Sequence, residues 1–338
     1  MEIILFVSII ISFILTIVVL PKWIRKCKQT GLLWEDMNKY THPKNVAGSG
    51  GIVVVMAFIL GVLSYIAIRT FLIINQNGIT TQIFSLLTVV LILSIVGLTD
   101  DLLGWKHGGL SAKIRIFLAL IASIPLVVIN AGSQTIMLPW IGTINLGLFY
   151  TLIILPLGVA GATTAFNFLA GFNGLETGQG IIILTFLSFI SYITGTTWLA
   201  LIGLIMVSSL IAFYFYNRFP ARVFPGDILT YSVGALIVTM AILGNFEKIT
   251  IFIFIPYIIE GILKARGGLK KQSFAIPDKY GNLKLPYKKV YSLTHLSILI
   301  LSKFKRNVRE RDVTYLIFIF QVLICLIALV LFKKVLYI

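Results

Sequence analysis

The stretch NFLAGFNGLETGQG, residues 167–180, sets two asparagines, one glutamate and four glycines between two long apolar segments of the chain. Inside a bilayer, polar and irregular backbone is tolerated only where protein surrounds it or where it lines a water-filled cavity. The stretch therefore indicates a fold that spans a membrane and builds a polar site at the end of one of its apolar segments.

The composition is that of a polytopic membrane protein. Of the 338 residues, 58% are hydrophobic and 12% are charged, whereas soluble domains carry about 25% charged residues. The first apolar run, 3–20, has no basic segment before it and no small-residue cleavage site, so it is predicted to be a retained span. Cys27 and Cys325 lie far apart in the sequence and imply neither a disulfide framework nor a metal cluster.

Apolar segments long enough to cross a bilayer, which takes about twenty residues, recur along the chain. Ten such segments lie at about 3–20, 47–68, 82–99, 114–130, 149–168, 179–194, 196–216, 228–243, 248–263 and 313–332. The sequence therefore predicts an all-α fold with about ten transmembrane helices. We expect one membrane domain over residues 1–338, because no internal repeat or low-complexity tract divides it.

Lysine and arginine are distributed very unevenly between the connecting loops. Six lie between the first two spans, three follow the third, two follow the seventh and thirteen lie in 264–312, which leaves four of the 28 for the opposite side. Because basic residues collect in cytoplasmic loops, segments 21–46, 100–113, 217–227 and 264–312 are predicted to face the cytoplasm. This distribution accounts for the net charge of +16 without nucleic-acid binding.

Polar residues gather at the ends of the spans on that same predicted face. They are Asp100 and Asp101 in GLTDD, Asn167, Asn173 and Glu176 in NFLAGFNGLE, and Asn217, Arg218, Arg222 and Asp227 in NRFPARVFPGD. Carboxylate and amide oxygens are ligands for Mg²⁺ or Mn²⁺, and neighbouring arginines and lysines can hold phosphates. A cluster of this kind without histidine or cysteine favours phosphoryl transfer over zinc-dependent hydrolysis.

Each motif taken alone also has a structural explanation. An Asp pair can end a helix in solvent, asparagines favour turns, arginines anchor spans, and an aspartate after Pro-Gly can cap a helix. A transporter is the alternative from another functional class, because charges within spans often mark ion pathways. The charges here lie at one face rather than at the midplane, and their coincidence there favours a shared site.

The motifs resemble those of the polyprenyl-phosphate N-acetylhexosamine-1-phosphate transferase family, a glycosyltransferase 4-type family. The resemblance runs through DMNKYTHPKNVAGSGG, GLTDD, NFLAGFNGLETGQ, NRFPARVFPGD and GNLKLPYKK, and looks closest to the branch acting on UDP-N-acetylglucosamine and dolichyl phosphate. It implies Mg²⁺-dependent transfer of N-acetylglucosamine-1-phosphate with release of UMP, the first step of lipid-linked oligosaccharide assembly for N-glycosylation. Another N-acetylhexosamine, used for cell-surface polysaccharide, is the alternative, and a homodimer is left open.

The same resemblance implies roles for individual residues. Asp100 and Asp101 would handle the lipid phosphate and the metal environment, Asn167 and Asp227 would hold Mg²⁺, and Asn173 and Phe224 would contact the uridine. Lys113 would supply the phosphate-binding charge, since Gly108 and Gly109 disturb the place where a lysine is expected. The remaining substrate-binding candidates are Asn38, Arg222, Arg266, Lys270 and Lys271.

The last basic segment departs from the family pattern, which carries an Arg/His-rich sugar-recognition motif there. KARGGLKKQSFAIP has no histidine, which leaves the sugar open and argues against the histidine-rich loop of the bacterial peptidoglycan enzyme. The lysine- and isoleucine-rich composition favours a prokaryotic plasma membrane with a cytoplasmic site, with the endoplasmic reticulum as the alternative.

The charge distribution predicts the orientation of the chain. In a variant whose native cysteines are replaced by alanine, Lys271→Cys should resist an impermeant thiol reagent in sealed right-side-out vesicles, because 264–312 faces inward. Lys333→Cys is the matched control and should be labelled readily. Labelling of Lys271→Cys with protection of Lys333→Cys would reverse the topology.

Overall fold

The computed structural model describes residues 3–73, 78–138 and 142–333. Lys334, one of the four basic residues assigned to the side opposite the cytoplasm, lies outside the described residues. The α-helices are α1 (Val7–Thr30), α2 (Gly51–Ile68), α3 (Ile79–His107), α4 (Ala112–Ala122), α5 (Ile124–Val128), α6 (Leu155–Phe168), α7 (Leu175–Ile193), α8 (Thr197–Asn217), α9 (Gly226–Gly244), α10 (Glu247–Ile253), α11 (Ile255–Arg266), α12 (Leu293–Phe304) and α13 (Glu310–Leu331). Three antiparallel hairpins pair β1 (Leu33–Glu35) with β2 (Lys44–Ala47), β3 (Thr135–Leu138) with β4 (Gly142–Asn145), and β5 (Ile276–Pro277) with β6 (Leu283–Lys284).

Long apolar helices dominate the fold. Within the described residues, eight are long and apolar enough to cross a membrane: Ile4–Thr30, Gly51–Leu72, Ile79–Trp105, Tyr150–Phe168, Leu175–Ile193, Thr197–Asn217, Gly226–Gly244 and Glu310–Leu331. The chain is therefore an all-α integral membrane protein, as the sequence predicts.

The predicted fourth and ninth spans, 114–130 and 248–263, are helical, but each is broken into two shorter helices. Eight of the ten predicted spans are therefore continuous helices. One break falls at Ser123, between α4 and α5, and the other at Phe254, between α10 and α11. A proline follows each break near the start of the next helix, where its missing N–H and bulky ring interrupt the preceding turn. The Ser123 hydroxyl donates to the carbonyl of Leu120 at 2.6 Å and so satisfies a group at the end of α4.

Three segments predicted as basic loops contain regular structure. The β1–β2 hairpin begins in 21–46, α3 continues through the first half of 100–113, and 264–312 contains the β5–β6 hairpin and α12. Ser292 caps α12, because its side chain accepts a hydrogen bond from the N–H of Thr294. The Ser residue before the apolar run LTHLSILIL is the signal that predicts such a helix, and it was missed among the surrounding lysines.

Helix α9 lies at the centre of the bundle and packs against α3 and α6 through glycines. A Cβ on Gly97 of α3 would lie 2.5 Å from the carbonyl oxygen of Asp227, and one on Gly234 of α9 would lie 2.9 Å from Cα of Thr163. Small residues are the usual means of close helix contact in membranes, where lipid is as apolar as the side chains. The N-terminus of α9 is thereby brought against the C-terminal part of α3.

Gly97→Ala should destabilise the protein by about 1–3 kcal/mol, the usual effect of overpacking. Its new methyl group meets backbone atoms of Asp227 and Ile228 that cannot move without shifting α9. Gly158→Ala is the matched control, because a Cβ there meets nothing within 4 Å. The midpoint of thermal unfolding in detergent should fall only for Gly97→Ala, and equal midpoints would show that the contact is not tight.

Candidate active site

The three polar motifs meet where α3 and α6 end and α9 begins. The carboxylate of Asp227, in the first turn of α9, accepts hydrogen bonds at its Oδ2 from Asn167 Nδ2 at 3.2 Å and from Arg115 Nη1 at 3.4 Å. The same Arg115 nitrogen lies 2.8 Å from Oδ2 of Asp100. The structure thus brings Asp100, Asn167 and Asp227 together, although up to 127 positions separate them in the sequence.

Arg115 is the cation of this cluster, whereas sequence reasoning had chosen Lys113. Lys113 is exposed and makes no ion pair among the described residues, while Arg115 is partly buried and bridges the two carboxylates. Both side chains leave the first turn of α4, where residues two positions apart do not face the same side. Only one of them can therefore point at α3, and Arg115 is the one that reaches Asp100 on that helix.

The two adjacent aspartates of GLTDD have different partners. Asp101 is buried and accepts the N–H of Asp227 at 2.7 Å and the N–H of Ile228 at 3.4 Å, so it caps the N-terminus of α9. Gly226 has a φ of +73°, and a Cβ there would collide with the carboxylate of Asp101. Asp101 therefore fixes backbone, and Asp100 is the member of the pair that shares a cation with Asp227.

The glycines after GLTDD close a turn over Asp100. The N–H of Leu110 donates to Oδ1 of Asp100 at 2.5 Å. Gly109 has a φ of +76°, and a Cβ there would lie 2.6 Å from that same oxygen. The departure from the family pattern at Gly108 and Gly109 thus places a backbone N–H, in addition to Arg115, on the carboxylate.

The asparagines Asn173 and Asn38 are buried connectors. Asn173 donates from Nδ2 to Asp36 at 3.1 Å, and its backbone N–H donates to Glu310 at 2.7 Å. Asn38 donates to the carbonyl of Gly171 at 2.7 Å and accepts the N–H of Ala275 at 3.1 Å. Both side chains lie behind the wall of the adjoining cleft rather than among the residues that line it.

Next to the cluster lies a cleft of about 230 Å³ whose wall is acidic and aromatic. Five carboxylates line it, from Glu35, Asp36, Asp101, Glu176 and Asp227, together with the rings of Trp34, Phe172, Phe224 and Phe274. Across the part of the chain that the structure describes, no lysine, arginine or histidine lines it. Of the substrate-binding candidates, Phe224 reaches this cleft.

The remaining basic candidates lie outside the cleft. Arg222, Arg266, Lys270 and Lys271 are exposed, and the ammonium of Lys271 lies 4.9 Å from the centroid of the Tyr287 ring. Arg222 lies between α8 and α9, and the other three lie at or just after the end of α11, where exposed charged side chains keep their hydration. Sequence reasoning named Asp101, Glu176 and Asp227 among the lining carboxylates but missed Glu35 and Asp36, whose local signal is the letters WED at the end of β1.

The carboxylate oxygens of the cluster are of the type that hard divalent cations prefer as ligands. The described residues contain no group of three or more His, Cys, Asp and Glu side chains arranged as a closed metal cage. The carboxylates of Asp100 and Asp227 converge, however, and a single guanidinium nitrogen bridges them, which shows that their oxygens share one positive charge. Asn167 turns its amide nitrogen toward Asp227, and its oxygen accepts a hydrogen bond from the hydroxyl of Thr230. Mg²⁺ is usually held by one or two carboxylates together with substrate phosphates.

Comparisons with known proteins cover both the cluster and the whole chain. Residues 83–245, which include Asp100, Arg115, Asn167 and Asp227, match the family described as Glycosyl transferase family 4. A Sulfolobus acidocaldarius protein provisionally named UDP-N-acetylglucosamine–dolichyl-phosphate N-acetylglucosaminephosphotransferase is 34% identical over 329 residues, covering 96% of this chain and 94% of its own length.

Two further relatives cover less of the chain. The Dictyostelium discoideum UDP-N-acetylglucosamine–dolichyl-phosphate N-acetylglucosaminephosphotransferase is 27% identical over 82% of this chain and 72% of its own length. A Clostridium perfringens phospho-N-acetylmuramoyl-pentapeptide-transferase is 36% identical over 49% of this chain and 53% of its own. The Sulfolobus relative is similar to this chain over nearly the full length of both, and the family match includes the polar cluster. The chain therefore belongs to glycosyl transferase family 4.

Proposed function

We propose that this protein transfers N-acetylglucosamine-1-phosphate from UDP-N-acetylglucosamine to a polyprenyl phosphate such as dolichyl phosphate, with release of UMP. The observation that carries the proposal is the cluster of Asp100, Asn167 and Asp227 around Arg115, at the edge of a cleft with aromatic walls. The names of the Sulfolobus and Dictyostelium relatives support the same substrates. The reaction would start lipid-linked oligosaccharide assembly for N-glycosylation.

In this reaction an oxygen of the polyprenyl phosphate attacks the β-phosphorus of the nucleotide sugar. A new P–O bond forms to the β-phosphorus, and the bond from that phosphorus to the bridging oxygen breaks. The bridging oxygen leaves with its electron pair on UMP, and the lipid diphosphate sugar stays in the membrane. A phosphate nucleophile is already anionic near neutral pH, so the reaction depends mainly on positioning and charge stabilisation.

The cleft needs a cation to accept a diphosphate, because five carboxylates line it and the described lining has no positive side chain. We propose that Asp227 and Asn167, with Asp100, hold Mg²⁺ or Mn²⁺ there. The ion, when bound, neutralises charge on the diphosphate oxygens. Asp101 acts indirectly, since it holds the backbone from which Asp227 projects.

The rest of the cleft suits the other parts of a nucleotide sugar. Carboxylates accept hydrogen bonds only, and uracil N–H, ribose hydroxyls and sugar hydroxyls are donors, so the acidic wall pairs with them. The rings of Trp34 and Phe224 offer faces on which a base can stack. We propose that the protein acts in a plasma membrane with this cleft toward the cytoplasm, in line with the distribution of basic loops.

Asp227→Asn should reduce kcat/KM by about tenfold to a hundredfold, because loss of a charge-assisted contact removes about 1.5–3 kcal/mol and the cation loses a ligand. UMP release from UDP-N-acetylglucosamine, with a polyprenyl phosphate and Mg²⁺, is the measurement. EDTA should abolish release by the wild type, Mg²⁺ should restore it, and Asn167→Ala should need more Mg²⁺ for half-maximal rate.

Asp278→Asn is the control for the aspartate substitution, because Asp278 lies in the β5–β6 turn and bonds only to neighbouring residues. It should keep wild-type rates. Undiminished turnover of Asp227→Asn, or full activity of the wild type in EDTA, would contradict the proposed metal site. Absence of UMP release with any UDP-sugar would contradict the proposed function itself.

Arg115→Ala and Lys113→Ala separate the two candidate cations. Arg115→Ala should lower kcat/KM by at least about tenfold, because it leaves two neighbouring carboxylates without their shared partner. Lys113→Ala should stay within about twofold, since an exposed charge without an ion pair contributes little. The reverse order of the two effects would show that Lys113, not Arg115, serves the phosphates.

A further inference from the structure

Phe274 lines the cleft from the segment 273–275, which belongs to no helix or strand. The ring of Phe274 forms part of the wall and lies against Gly171, where an added Cβ would come within 2.8 Å of Phe274 Cε1. A segment without regular backbone hydrogen bonds has its position set by the side chains that bind it. The contacts of 273–275 therefore decide where the Phe274 ring stands.

Three side chains hold the backbone of this segment. Asn38 accepts the N–H of Ala275 at 3.1 Å, the hydroxyl of Thr294 donates to the carbonyl of Ser273 at 2.8 Å, and His295 Nε2 lies 3.2 Å from the carbonyl of Phe274. A carbonyl oxygen only accepts hydrogen bonds, so Nε2 of His295 carries the proton in this contact. Two of the three tethers come from the first turn of α12.

Glu260 of α11 fixes that first turn. Its side chain is fully buried and accepts hydrogen bonds from the N–H of Leu293 at 2.5 Å and the hydroxyl of Ser292 at 3.0 Å. It also lies 3.5 Å from the hydroxyl of Ser273, and Lys264 Nζ is 3.7 Å away. A carboxylate at a helix N-terminus satisfies N–H groups that have no partner within the helix.

We propose that Glu260 is a positioning residue for the nucleotide-sugar donor, holding Phe274 in the cleft wall through the first turn of α12. This inference rests on the proposed function. Glu260 does not line the cleft and belongs to other elements than Asp100, Asn167 and Asp227. Its removal should therefore weaken donor binding and leave the phosphoryl-transfer step nearly unchanged.

A purely structural role is the competing explanation, in which Glu260 only joins α11 to α12. That role would lower stability or kcat whether or not the Phe274 ring is present. The positioning role instead predicts that the effect of Glu260 passes through the Phe274 ring. Once that ring is removed, substitution of Glu260 should have no further effect on donor binding, because coupled residues are not additive.

The experiment compares Glu260→Gln, Thr294→Val, Phe274→Ala and the double variant Glu260→Gln/Phe274→Ala in UMP release. Each single variant should raise KM for UDP-N-acetylglucosamine by about tenfold, as loss of one hydrogen bond or contact of about 1.4 kcal/mol does. Its kcat and its KM for the polyprenyl phosphate should stay within about twofold. The double variant should match Phe274→Ala alone.

Glu247→Gln is the matched control, since Glu247 also accepts a hydrogen bond, from Tyr150 at 2.5 Å, but in another part of the fold. Its kinetic constants should equal those of the wild type. Additive effects of Glu260 and Phe274, an unchanged donor KM in Glu260→Gln, or a loss confined to kcat would each overturn the positioning role. If Glu260→Gln does not fold, Thr294→Val decides, because it keeps the backbone N–H that Ser292 caps and loses the tether to Ser273 together with one hydroxyl contact to Ser292.

Donor binding separates failure of this inference from failure of the proposed function. If the wild type binds UDP-N-acetylglucosamine in calorimetry but releases no UMP, the proposed function fails, and the Kd of Glu260→Gln still tests the positioning role. A wild type that does not bind the donor overturns both.

Discussion

The carboxylate of Asp101 holds the N-terminus of α9, and the rest of the site depends on this contact. It accepts the N–H groups of Asp227 and Ile228, which have no partner within the helix. Gly226 and Gly97 lack the side chains that would keep α3 and α9 apart at this point. With α9 anchored there, the carboxylate of Asp227 projects toward α4 and α6, where arginine and asparagine side chains reach it.

The turn between α6 and α7 shows how polar backbone is accommodated in so apolar a chain. Gly171 and Gly174 adopt positive φ angles of 105° and 80°, which allow the chain to reverse between the two helices. The N–H of Gly171 donates to Glu176, and its carbonyl accepts from Asn38. Side chains thus satisfy the backbone groups that the helices leave open, and the turn is enclosed by protein as a membrane environment requires.

Features set by composition and local pattern could be predicted from the sequence, whereas those set by side-chain direction and distant contacts could not. Apolar length revealed the helices, and polar residues at span ends revealed which motifs converge. The choice between Lys113 and Arg115 depended on how α4 starts, which a charge count does not show. Asp36 lies in the β1–β2 hairpin and reaches the cleft wall there, where it accepts a hydrogen bond from Asn173, 137 residues away. No local sequence pattern encodes this pairing.

The contrast between a basic chain and an acidic cleft carries a physical consequence. The chain has a net charge of +16, and its exposed lysines and arginines attract anionic substrates over distances that salt screens. At short range the carboxylates of the cleft oppose the same anions. The cations beside them are already paired, Arg115 with Asp100 and Asp227 and Lys39 with Asp36 and Glu310. Ionic strength should therefore govern how fast a nucleotide sugar arrives. A cation between these carboxylates and the diphosphate should govern how tightly the nucleotide sugar remains bound, because charges in direct contact are screened far less than exposed ones.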